Sequence, residues 1–269
     1  MKICPEIAVV GNFNAVQQSL RELLVSMGYT LISSGQPLPN EKAAVLHFVS
    51  DSADSALRHS TDGAFIIGND ASIISRWVGH PHLRLIYGEN PMPRLETEIK
   101  AFLGDPEPLE IERKFLIEYP DVKWLEGNPF CGSAEILQTY LKPQSGHNVR
   151  LRQRSSGDGY LYFKTEKRSI SPVKRAEYEE RITAEEYVHL LMLSDTQRHQ
   201  IRKTRYCLMY EGQYFEIDLF PFWQDRAIME LELLSEDQPI SFPPEIRIIR
   251  EVTLEPAYKN TSLSLEIPR

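Results

Sequence analysis

Charges recur at every second residue through the second half of this chain, and that spacing restricts the fold more than any other feature. Glu110, Glu112 and Lys114 alternate in LEIERKFLI, Arg150, Arg152 and Arg154 in NVRLRQR, and Glu177 and Glu179 in AEYEERIT. Lys203 and Arg205 do so in IRKTRY, Glu216 and Asp218 in QYFEIDLF, and Glu230 and Glu232 in AIMELELL. Ile111, Leu151, Tyr178, Ile217 and Leu231 fall between them. A period of two belongs to β-strands, so each segment presents one charged face and one apolar face. A solvated outer face accounts for any single strand of this kind. It accounts poorly for six, because carboxylates are sorted onto four segments and bases onto others, with little Ser, Thr or Gln between.

A closed barrel with a charged lumen explains the sorting. Like carboxylates brought together out of water repel, and buried unpaired charge is very costly. A divalent cation removes that penalty, and oxygen ligands without histidine or thiolate suit Mg²⁺ or Mn²⁺ rather than Zn²⁺. Arginine and lysine on the facing wall call for an anion of high charge density, and guanidinium forks match phosphate oxygens. Carboxylates holding metal opposite bases holding phosphate describe a polyphosphate site.

The first half is written differently. Over residues 1–104, short apolar runs (EIAVVG, TLISS, AVLHFV, AFIIG, LRLIYG) alternate with helical patterns (AVQQSLRELLVSMG, RLETEIKAFLG). Such alternation predicts an α/β domain with a parallel sheet. GDPEP supplies a linker at 105–108, and residues 109–269 form the strand-rich domain, with about eight antiparallel strands. One helix interrupts them, opening at Thr183 with Glu186 three residues on, a capping box.

Composition narrows the function. The 269 residues carry a net charge of −8, which argues against general nucleic-acid binding. No apolar run is long enough for a bilayer span, the N-terminus lacks signal-peptide regions, and no membrane partner is expected. Cys4, Cys131 and Cys207 lack metal-ligand spacing and suit reduced thiols in the cytosol. Nothing in the composition speaks to oligomeric state.

With these motifs in hand, the chain from Leu109 onward resembles the CYTH domains, or triphosphate tunnel metalloenzymes. EIERK is similar to the family's ExExK signature, and QTYL, VRLR, YFKT, EYEERI, KTRY, FEIDLF, MELEL and EVTLEPAYKNTSLS follow in the family's order. The resemblance implies an eight-stranded antiparallel tunnel that binds a triphosphate with Mg²⁺ or Mn²⁺. It implies metal ligands at Glu110, Glu112, Glu230 and Glu232, with Asp218 and Glu216 at a second metal. Phosphate contacts are implied at Lys114, Arg150, Arg152, Lys164, Lys203, Arg205 and Lys259, oriented by Glu177 and Glu179. Glu110, Glu112, Lys114 and Asp218 would stand nearest the chemistry, and Arg154 has no counterpart. The activity implied is metal-dependent hydrolysis of inorganic tripolyphosphate or a small organic triphosphate. A binding module without turnover and an adenylate cyclase are the alternatives.

RWVGHPHLRLIYG, running on through FLGDPEPLEIERKFLI, resembles the join in two-domain proteins that place a P-loop NTPase domain before a CYTH-type domain. The expected fold is therefore α+β in two domains: a degenerate P-loop-like parallel sheet, then the eight-stranded antiparallel tunnel. Where relatives carry GxxxxGK[ST], this chain reads VVGNFNAVQQSL, with Val16 and Gln17 in place of the second glycine and the lysine. Without that glycine and lysine, nucleotide hydrolysis is not expected of this half.

Overall fold

A computed structural model describes residues 6–10, 17–27, 30–32, 44–49, 63–68, 70–80, 82–86, 91–103, 109–143, 148–156, 159–170, 174–233 and 235–268. The chain divides into two compact units, Met1–Pro108 and Leu109–Arg269. The GDPEP linker and the loop with Val16 lie outside the described residues.

The first unit is a five-stranded parallel sheet. Its strands are β1 (Glu6–Val10), β2 (Thr30–Ile32), β3 (Ala44–Val49), β4 (Gly63–Ile67) and β5 (Leu83–Ile86), in the order β2-β1-β3-β4-β5. That order, reversing beside β1, is the one found in flavodoxin-type doubly wound sheets. Helix α1 (Gln17–Ser26) contributes Leu20 and Leu24, and α3 (Met92–Leu103) contributes Leu95, Ile99 and Leu103. These pack on Leu46, Phe48, Phe65 and Ile86 in one apolar cluster. Between β4 and β5 stands α2 (Ala71–Trp77), which the apolar pattern did not announce; Asp70 caps it by accepting from the Ser72 and Ile73 amides.

The second unit is the antiparallel sheet that the charge pattern calls for. Its strands are β6 (Leu109–Glu118), β7 (Cys131–Tyr140), β8 (Asn148–Ser156), β9 (Gly159–Ser169), β10 (Lys174–Ile182), β11 (Ile201–Tyr210), β12 (Gln213–Leu219), β13 (Arg226–Leu233) and β14 (Ile248–Glu251). The order is β10-β9-β8-β7-β11-β12-β13-β6-β14, and β10 also pairs with β6. Of the nine strands, β14 sits outside that closure, so eight form a ring. Closure removes the free edges of an open sheet. Between β11 and β12, Glu211 and Gly212 both take positive φ (44° and 72°), the tight two-residue turn that matches strand twist.

This barrel turns its apolar faces outward and then covers them. Phe115, Ile117, Leu208, Phe215, Ile217, Met229 and Leu231 cluster with Leu125 of α4 (Val122–Gly127) and with Ile246. On the β8–β9 side, Leu151 and Tyr162 pack with Tyr187 of α5 (Ala184–Leu191). The predicted capping box is present on α5: Glu186 N donates to Thr183 Oγ1 at 3.1 Å, and Thr183 N donates to Glu186 Oε2 at 2.9 Å. With the apolar residues used outside, the charged residues are left to line the inside. Among the described residues, no helix is long and apolar enough to cross a membrane.

Candidate active site

Register decides which side chains enter the lumen. On β8, Arg150, Arg152 and Arg154 stand opposite Tyr140, Gln138 and Ile136 of β7, and opposite Thr165, Phe163 and Leu161 of β9. Arg205 of β11 faces Asp218 of β12, and Glu216 faces Glu230 of β13. Glu230 and Glu232 stand opposite Lys114 and Glu112 of β6. On β10, Glu177 and Glu179 stand opposite Lys167 and Thr165. Ion pairs between strands that are not neighbours confirm the inward direction. Arg150 reaches Glu177 at 3.3 Å and Arg152 reaches Glu179 at 3.2 Å, both past β9. Arg205 reaches Glu230 at 2.9 Å past β12.

Around the ring the charges fall into two arcs. Consecutive strands β12, β13, β6 and β10 carry Glu216, Asp218, Glu230, Glu232, Glu112, Glu177 and Glu179; β9, β8, β7 and β11 carry Lys167, the three arginines, Lys203 and Arg205. Lys114 is the base set within the acidic arc. Its ammonium lies 3.1 Å from Glu112 and 2.5 Å from Glu230. Burial works against that charge, but the two carboxylates outweigh it and hold the Lys114 pKa above the usual lysine range.

Arg205 is the most heavily engaged base. It makes a fork to Asp218 and further contacts to Glu216 and Glu230. Lys203, fully buried, touches the same Asp218 and lies 5.7 Å from the centre of the Phe220 ring. Burial, with Arg205 close by, pushes the Lys203 pKa down to about 8. Burial would raise the Glu230 carboxyl, yet Lys114, Arg205 and Lys203 keep it well below the usual range.

One step past the charges the same faces become apolar. Leu116 follows Lys114, Phe220 follows Asp218, and Ile228 and Ile201 precede Glu230 and Lys203. These join Tyr140, Trp223, Val252, Tyr258 and Leu263 in a cluster that stoppers this end of the lumen. The C-terminal segment supplies the stopper through a 3-10 turn at Pro256–Tyr258 and helix α6 (Asn260–Leu263).

Most of the residues singled out in the sequence converge here, and Lys164 is an exception. Lys164 does not enter the lumen. It stands opposite Leu151 and Glu180, on the outward face that packs under α5, because Thr165 and Phe163 occupy the inward positions. Lys167, two positions beyond Thr165, is the inward lysine of β9, and its ammonium contacts Glu177. Asp218 and Glu216, expected at a second metal, are held by Lys203 and Arg205. Lys259 lies partly buried where the 3-10 turn meets α6, beside the stopper. The Glu110 side chain is outside the described residues; its backbone pairs with Arg175 at the β6–β10 seam.

Arg154, set aside in the sequence for want of a family counterpart, also lies inside, and Gln138 was given no role there. Arg154 is 2% exposed and donates to the Cys207 thiol at 3.6 Å, as the third rung of the same arginine series. Its period-two spacing from Arg152 was the available signal. Among the described residues, no three carboxylate, imidazole or thiol groups come close enough together to bind a cation. Lys114 and Arg205 stand between the carboxylates instead.

Known proteins similar to this chain match its second unit. Residues 108–262 match the CYTH domain. An inorganic triphosphatase of Nitrosomonas europaea is 36% identical over 163 residues, which cover 59% of this chain and 99% of that protein. A crystal structure of an inorganic triphosphatase aligns at 34% identity over 60% of this chain and 97% of the other, with a TM-score of 0.39. A Pyrococcus horikoshii protein aligns at 19% identity over 48% and 80%, with a TM-score of 0.37. The ring of eight strands, its two charged arcs and the match over more than half of the residues lead to one assignment: this chain belongs to the CYTH family.

Proposed function

We propose that the chain is a divalent-metal-dependent triphosphatase that hydrolyses the terminal phosphoanhydride of inorganic tripolyphosphate or a small organic triphosphate. One observation carries the reading: an arc of bases and an arc of carboxylates face each other inside a closed barrel stoppered at one end. The Nitrosomonas relative, named an inorganic triphosphatase, supports it.

The base arc does the binding. Arg150, Arg152, Lys167, Lys203 and Arg205 offer fixed donors to phosphate oxygens, and a triphosphate entering between the arcs would replace carboxylates as their partner. Donors already in place when charge builds on the transferred group lower the barrier without reorganisation. The apolar stopper keeps bulk water from that end, which strengthens each contact.

The acidic arc has the chemistry of a Mg²⁺ or Mn²⁺ site. Glu112 and Glu232 are directly opposite in register, as are Glu216 and Glu230, and like charges so placed repel unless a cation lies between. Oxygen donors alone suit a hard ion. Glu112 and Glu232, with Glu230, would hold it once substrate phosphates draw Lys114 away. Such an ion, when bound, would neutralise phosphate charge and polarise the phosphoanhydride under attack.

For the first unit we infer no nucleotide hydrolysis, since Val16 and Gln17 stand where a P-loop carries its second glycine and its lysine, and the flavodoxin-type strand order lends the P-loop resemblance no support. The test of the main proposal is phosphate release from tripolyphosphate with Mg²⁺ or Mn²⁺. Release that needs the metal supports it, and tight binding without product would reassign the chain as a binding module.

A further inference from the structure

The QTYL segment places one more polar group inside the lumen. Gln138 is 2% exposed and sits on the inward face of β7, opposite Arg152 of β8 and Ile201 of β11. No described residue donates to its Oε1, and none accepts from the neighbouring Arg152 Nε. A buried acceptor left without a donor keeps its full desolvation penalty, so folded proteins retain few of them. Here an orphan acceptor and an orphan donor stand at paired register positions among phosphate-binding bases.

The two orphans ask for different partners. A phosphate oxygen satisfies Arg152 Nε, but it cannot satisfy Gln138 Oε1, since both are acceptors. Oε1 needs a hydrogen donor, which a water O–H supplies, and a carboxamide cannot take the proton that it receives as a hydrogen bond. A side chain with those properties can hold a water molecule and aim it, the task a glutamine performs in GTP hydrolysis.

We propose that Gln138 orients the attacking water of the reaction, accepting its O–H at Oε1 while Arg152 Nε holds an oxygen of the phosphoryl group under attack. This rests on the triphosphatase reading above. The water oxygen forms the new bond to the terminal phosphorus, and the bridging P–O bond breaks with its electron pair on the departing diphosphate. One water proton stays on the orthophosphate formed and the other leaves to bulk water.

The experiment uses the full chain with Mg²⁺ and tripolyphosphate. Gln138→Met keeps the length and removes the acceptor. It is expected to lower kcat about 10²-fold while KM stays within roughly twofold and the melting temperature is unchanged. Gln138→Glu keeps an acceptor and is expected to hold kcat within about tenfold of the parent, well above Gln138→Met, whereas a purely packing role would leave the apolar methionine at least as active as the buried carboxylate. Should the methionine variant melt early, the glutamate variant decides: collapse of its kcat at normal melting overturns the proposal. So does an unchanged kcat in Gln138→Met, or a loss there that appears in KM, which would make Gln138 a phosphate ligand. Parent protein that releases no phosphate sinks the underlying activity instead, a result in which the variants play no part.

Discussion

Arg205 holds Asp218 in a fork, Nε to Oδ1 and Nη2 to Oδ2, both at 2.7 Å, between register partners of β11 and β12. The carboxylate is fully buried, and Lys203 approaches it as well. This pair joins the two arcs where they meet at the β11–β12 boundary.

Replacing Arg205 tests that junction. Arg205→Met leaves Asp218 with Lys203 as its remaining ion-pair partner and takes one base from Glu230. Breaking a buried pair from one side costs about 3–5 kcal/mol, so urea unfolding should show a loss of that order. Arg205→Lys keeps the charge but not the two-point fork, and should recover only part of it. A methionine variant as stable as the parent would mean that the pair contributes no net stability.

Acid titration examines the other side of the ring. Burial alone would raise the Glu177 carboxyl, but Lys167 and Arg150 bring it from 4.5 down to about 2. A depressed carboxylate contributes stability that is present above its unfolded pKa and is lost as pH falls through the folded one. The stability gap between the parent and Glu177→Gln should therefore be widest above pH 4.5 and close as pH falls toward 2. Unfolding curves at several pH values measure it, and a gap that does not vary with pH would dissociate the shift from Glu177.

The β-rich unit was legible because charge and apolarity alternate in six of the eight ring strands, while β7 and β9 coincide with strand-like runs that lack that code. What alternation could not supply was phase. YFKTEKR offers lysines at 164 and 167, on opposite faces, and only the pairing of Leu151 with Lys164 and of Arg150 with Thr165 shows which turns inward. Pairings distant in sequence, such as β7 with β11, set that register. Short pieces were lost for a related reason. Strand β14 and helices α2 and α4 span four to seven residues, too few for a period to emerge. Ion pairing was hidden too: a carboxylate in a sequence reads equally as a metal ligand or as the partner of an arginine.

The two lysines of β9 give a paired test of phase. Lys167→Met removes an inward ammonium and should lower tripolyphosphate turnover by roughly 10²-fold if the contact acts in the transition state. Lys164→Met changes an outward position and should leave turnover within about twofold, consistent with the small effect usual for surface substitutions. Steady-state assays of both variants decide it. The reverse ranking would place β9 one residue out of register.

The proposed metal dependence can be tested at Glu112. It lies 3.1 Å from Lys114 and stands opposite Glu232, so Glu112→Gln removes one negative charge from the acidic arc with little change in shape. If that carboxylate holds Mg²⁺ or Mn²⁺, phosphate release should fall about 10²-fold or more at ordinary metal concentrations, and excess metal should restore part of it. Chelator should silence the parent enzyme as well. Lys114 loses a partner in this variant and keeps Glu230 at 2.5 Å, so the fold is expected to survive, and a melting curve run beside the assay separates lost chemistry from lost structure. Full activity in Glu112→Gln, or steady phosphate output with chelator present, would remove metal from the mechanism and leave the base arc to work alone.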